Sequence, residues 1–82
     1  MNFWNKINEL WPPQRDTYKL VGDDDIELLL QRDSNWWHCD VFLDGNWLCR
    51  VLDDRTGTQK VETMQKMAIE NLYKLKDALL KN

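Results

Sequence analysis

The run Trp36-Trp37-His38-Cys39-Asp40-Val41-Phe42-Leu43-Asp44-Gly45-Asn46-Trp47-Leu48-Cys49-Arg50-Val51-Leu52 decides the fold. Two segments rich in Trp, Val, Leu and Cys flank Asp44-Gly45. Both central residues of a type I′ turn need φ > 0, which Asp-Gly tolerates well. The stretch therefore predicts an antiparallel hairpin closed by a two-residue turn. In that register Leu43 pairs with Asn46, Phe42 with Trp47, Val41 with Leu48, Cys39 with Arg50 and Trp37 with Leu52. Alternation then puts Trp37, Cys39, Val41, Leu43, Leu48 and Leu52 on one face. Trp36, His38, Phe42, Trp47, Cys49 and Val51 take the other, so both faces are apolar. The same register points the thiols of Cys39 and Cys49 apart, which excludes a disulfide between them.

Working outward, residues 16–54 predict a four-stranded antiparallel meander, with strands over 17–21, 26–32, 36–43 and 46–52. Gly22-Asp23-Asp24-Asp25 and Asp33-Ser34-Asn35 supply turn chemistry between the first three. Residues 58–80 predict a long helix, because Val61, Met64, Ala68, Leu72, Leu75 and Leu79 recur at three- and four-residue spacing and form one apolar stripe. Thr56 with Gln59 reads as a capping box, and Thr58 is a rival cap. Glu62–Lys66, Glu70–Lys74 and Asp77–Lys81 are acid-before-base pairs one turn apart, the mark of a solvated helix face. At the other end Phe3, Ile7, Leu10 and Trp11 predict a short amphipathic helix over 2–11, closed by Pro12-Pro13. The expected fold is thus α+β: a four-stranded antiparallel meander packed on a long C-terminal helix, with a short N-terminal helix, as one domain over 1–82.

At 82 residues and 43% hydrophobic content, such a chain has a core but a small one; net stability of about 3–5 kcal/mol is expected. Its longest aliphatic run, Leu28-Leu29-Leu30, is far too short for a spanning helix. The first eleven residues lack the basic start and apolar centre of a signal peptide, so a cytoplasmic location with reduced cysteines is expected. Two cysteines so spaced fit no common zinc motif, and the Asp23-Asp24-Asp25 run lacks the pattern of a calcium loop; neither a metal nor another cofactor is expected.

Catalysis has little to draw on. The chain has one His and one Ser and carries no phosphate-binding or metalloprotease motif. His38 and Asp40 share a strand face, but a histidine beside aromatics more often packs than reacts. A non-enzymatic protein is expected. Charge narrows the choice further: residues 1–54 carry −6 and residues 55–82 carry +3. The net −3 argues against bulk nucleic-acid binding. The helix–sheet–helix order is similar in layout to double-stranded-RNA-binding domains. The last helix here, however, begins Thr58-Gln59-Lys60-Val61-Glu62 with a single lysine where those domains grip phosphate with several, and the sheet has one strand too many.

Five tryptophans in so small a chain point to contact with another protein, since Trp is enriched at interfaces. One long helix can cover only one sheet face. The other is left to the N-terminal helix or to a partner, a different protein or a second copy in a homodimer. The expected contact set is Trp36, His38, Phe42 and Trp47 on that face, with Asp23, Asp24, Asp25 and Asp44 gathered in turns at one end. An acidic rim around aromatic side chains suits a basic or aromatic-accepting surface. A protein-binding module of inhibitor, immunity or phage-accessory type is therefore the first expectation, ahead of a nucleic-acid-binding domain or a self-associating structural protein.

Overall fold

A computed structural model describes residues 4–6, 16–22, 25–57 and 59–80. Five strands and one helix follow in order: β1 (Trp4–Lys6), β2 (Asp16–Val21), β3 (Ile26–Asp33), β4 (Trp36–Leu43), β5 (Asn46–Asp54) and α1 (Val61–Leu80). The strands form one antiparallel sheet in sequence order, and α1 packs on one face of it against β3 and β5. The architecture is α+β, as the periodicities imply.

No N-terminal helix is found among the described residues. Trp4–Lys6 instead form a strand on the edge of β2, with Trp4 opposite Leu20, Asn5 opposite Lys19 and Lys6 opposite Tyr18. The sheet therefore has five strands rather than four. An open β2 edge would leave a row of backbone groups unpaired, and pairing them outweighs the weak preference of a short helix. Local alternation agrees, since Trp4 packs against the core while Asn5 is exposed. The rest of the 2–11 span, with Ile7, Leu10 and Trp11, lies outside the described residues.

The turns do what their residues allow. Asp44 and Gly45 have φ of 53° and 83°, the left-handed values the two-residue loop requires. Ser34 at φ 59° opens the β3–β4 turn in the same way. Asp44 N–H donates to the Asp25 carbonyl at 2.9 Å, which ties the β4–β5 turn to the β2–β3 turn.

The hairpin register holds only near its tip. Leu43 faces Asn46 and Phe42 faces Trp47, but Val41 then faces Cys49, Asp40 faces Arg50 and Cys39 faces Leu52. Leu48 and Val51 are therefore the extra residues of two bulges on β5. The first bulge reverses the facing of the residues after it and the second restores it. Cys49 moves to the face of Val41 and Cys39, correcting the expected opposition of the two thiols; both cysteines are free. Arg50, expected opposite Cys39, stands instead on the outer face beside Asp40. Leu43 and Leu48, expected on the face of Trp37, Cys39 and Val41, are exposed.

The core lies between sheet and helix: Leu20, Leu28, Leu30, Trp37, Cys39, Val41 and Leu52 from the strands, with Met64 and Ala68 from α1. Of the predicted stripe, Met64 and Ala68 are buried and Val61 and Leu72 pack partly buried against this core. The N-terminus of α1 falls at Val61, later than expected, with Met64 N–H bonding the Lys60 carbonyl at 3.1 Å. Thr56 does not cap it; its amide and hydroxyl both donate to Asp54 Oδ1, at 2.9 and 2.7 Å. Gly57 explains the delay. It takes φ +69° and lies so close to the β3–β4 turn that a Cβ there would come within 2.7 Å of Asn35 Cβ. Beyond it the helix diverges from β2, leaving a cavity of about 370 Å³ between Leu20 and Leu28 on the sheet and Ile69 and Leu72 on the helix. No helix among the described residues is long and apolar enough to cross a membrane.

Candidate functional site

The face turned away from α1 is built in cross-strand rows. Thr17, Gln31, His38 and Asp53 form one; Lys19, Leu29, Asp40 and Arg50 form the next; Val21, Glu27, Phe42 and Trp47 form the third. An apolar surface was expected here. The face instead is polar in its first two rows apart from Leu29 and apolar mainly in the third, and several of its polar groups are hydrogen-bonded to one another.

Asp40 is the hub. It is only 7% exposed, and its Oδ1 accepts Arg50 Nε at 3.0 Å and Trp47 Nε1 at 3.2 Å. Arg50 Nη2 reaches Oδ2 at 3.5 Å. Burial alone would raise the Asp40 pKa, but the hydrogen bonds from Arg50 and Trp47 and the charge of Arg50 outweigh it, and the carboxyl is held below its usual value. His38, 5% exposed, faces the same carboxylate from two residues away, with Nδ1 at 3.6 Å from Oδ2. That is too long for a hydrogen bond, and Nδ1 has no other partner. Burial and the Arg50 charge lower the His38 pKa, against the opposing pull of Asp40 and Asp33.

A second set joins the first at Trp36. Its ring lies 4.3 Å from that of His38, centroid to centroid, and its Nε1 donates to Asp53 Oδ1 at 2.6 Å. The guanidinium of Arg50 stands 5.0 Å from the Trp36 centroid and that of Arg55 4.6 Å, both within cation–π range. Arg55 Nε also pairs with Asp53 at 3.4 Å.

The expected contact residues therefore separate. Trp36 is half-buried inside the network, Phe42 is half-buried beside it, and His38 is buried, so it offers no contact surface in this state. Trp47 stands out at 61% exposed. Exposed Leu48 follows it as the bulge residue, exposed Leu43 turns to the opposite face at the hairpin tip, and Asp25 and Asp44 are exposed at the same end. Asp23 and Asp24 lie outside the described residues.

The sequence reading passed over Asp40, Arg50, Asp53 and Arg55 as site members. A signal existed for the first two. Asp40 is the one carboxylate inside a run of large apolar residues, and Arg50 is the only Lys or Arg between residues 33 and 54. A carboxylate in a covered sheet needs a cation, and no other was near in sequence.

Chemically, the arrangement orients an indole. Both thiols lie on the opposite face, and burial with the nearby Asp40 charge pushes Cys39 up to about 12 and raises Cys49 as well, so neither is a thiolate at neutral pH. Ser34 sits in the β3–β4 turn. Among the described residues no three His, Cys, Asp or Glu side chains are grouped to hold a metal. Compared with known protein families, curated proteins and solved structures, the chain finds no match.

Proposed function

We propose that this chain is a non-enzymatic protein-binding module that docks through the Trp47 end of its outer sheet face. The observation that carries this is the state of Trp47: its ring is 61% exposed, yet its Nε1 is bonded to the buried Asp40. An exposed indole with a fixed orientation loses little entropy on insertion into a partner's pocket, and Trp is prominent among residues that dominate binding energy. Half-buried Phe42, opposite Trp47 on the neighbouring strand, extends the apolar contact, while Asp25 and Asp44 favour a partner whose pocket is rimmed by basic residues. An inhibitor or accessory protein of immunity or phage type suits a small acidic domain of this kind.

The test compares two baits, the wild-type chain and Trp47→Ala, each verified as folded by circular dichroism. A protein retained by the first and lost by the second, with retention weakening as salt rises, supports the proposal. Identical captured sets overturn it. A wild-type dimer that Trp47→Ala converts to monomer makes the partner a second copy.

A further inference from the structure

We propose that protonation of His38 acts as a local switch that releases Trp47 from Asp40. The parts are already in contact. Asp40 holds Trp47 and Arg50 through Oδ1, while among the described residues Oδ2 makes a long contact with Arg50 and faces the unpartnered Nδ1 of His38 at 3.6 Å. A neutral ring gains little there. An imidazolium differs, since a charge-assisted hydrogen bond to carboxylate forms at about 2.7–2.9 Å. Closing that gap moves the carboxylate by somewhat under about 1 Å. The movement draws Oδ1 away from the indole N–H on the neighbouring strand.

The surroundings favour this exchange over a simple tightening of all three contacts. His38 faces Asp53 across β5 and Gln31 across β3, with Asp33 and Trp36 at the near end and Arg50 and Asp40 at the other. Asp53 is already occupied by Trp36 and Arg55. Asp40 Oδ2 is the carboxylate oxygen that stands against His38 Nδ1, at 3.6 Å, and Arg50 is the cation the new charge repels. The β5 segment that must yield contains the unpaired bulge residues Leu48 and Val51 on either side of Cys49 and Arg50. Its ladder is already interrupted on both sides of Arg50, so it can give without unzipping the hairpin. The bearing of this switch on docking rests on the function proposed above: acid would loosen the indole that the docking surface presents.

The experiment is an NMR titration of the full chain from about pH 8 to about pH 4.5, a span centred on the histidine range. It follows the His38 ring protons and the Trp47 indole N–H, with the methyl groups of Met64 and Ala68 reporting on the core. The Trp47 resonance is expected to move with the His38 midpoint, and the protection of its N–H, relative to a free indole at the same pH, to fall about tenfold as the bond to a charged acceptor is lost. In His38→Gln the Trp47 resonance is expected to stay fixed. Should that variant not fold, Asp40→Asn serves: His38 then titrates without moving Trp47. The switch is overturned if Trp47 stays fixed while His38 titrates in the wild type, or moves equally in His38→Gln. It is also overturned if the core methyl signals collapse before His38 takes up its proton. None of these results touches the docking proposal, which the two-bait comparison tests.

Discussion

At Asp40 a single side chain settles how two strands face outward. Its carboxylate is nearly buried, and it survives there ionised because Trp47 and Arg50 donate to it. Asp40→Ala removes the acceptor for both. Arg50 and the indole are partly solvated and recover water, so the expected loss is moderate, about 1–3 kcal/mol. Trp47→Ala gives up one hydrogen bond and a ring that is mostly in solvent already. Its cost is expected below about 1 kcal/mol. Urea denaturation at neutral pH checks the order: the Asp40 variant lower in midpoint, the Trp47 variant near wild type. A Trp47→Ala loss as large as that of Asp40→Ala would mean that the indole is part of the fold rather than a presented group.

At the scale of elements, the junction between β5 and α1 depends on Gly57. Its left-handed φ costs an L-residue about 1 kcal/mol or more, and the Asn35 backbone and Cβ leave no room for a methyl group. Gly57→Ala is expected to destabilise by about 2 kcal/mol or more, read from the thermal midpoint. The same residue shows what sequence can and cannot reveal. The stripe from Val61 to Leu72 made the helix legible, but its first turn was set by the approach of a distant loop at Asn35. The β4–β5 turn was legible because Asp-Gly encodes its own φ values. The bulges at Leu48 and Val51 were not, since they are fixed by which side chains find partners across the sheet: Arg50 reaches Asp40, and Asn71 on α1 donates to the Val51 carbonyl at 2.7 Å. β1 was misread because three residues are too few to show a two-residue period against a neighbouring helical one.

For the whole molecule, stability is expected to concentrate in the sheet–helix layer nearest β3 to β5. Leu30 is fully buried, and Leu30→Ala is expected to cost about 2–5 kcal/mol. Leu72 borders the cavity beside β2 and is only partly buried, so Leu72→Ala is expected to cost clearly less. Parallel denaturant curves separate the two. Acid acts on the whole molecule as well. The folded His38 pKa is depressed, so above its ordinary value of about 6.5 the neutral ring contributes its full stability. As pH falls through that value the unfolded chain binds the proton first, and stability declines until the folded ring titrates. Asp40, also depressed, adds a second decline that begins near the ordinary carboxylate range, about 4. Thermal midpoints between about pH 7 and pH 5 are expected to fall in the wild type and to flatten in His38→Gln.

The two irregularities in β5 have a consequence for how copies of this chain behave when crowded. A flat outer strand of nine residues would invite end-on stacking of like strands into fibrils. Here the ladder is broken at Leu48 and again at Val51, and the helix takes the Val51 carbonyl for itself. Within β5 the longest uninterrupted stretch left to template an aggregate is far shorter than the six or so residues a steric zipper needs. The strand that carries Trp47 can thus keep its indole in water without offering a flat edge for amyloid growth.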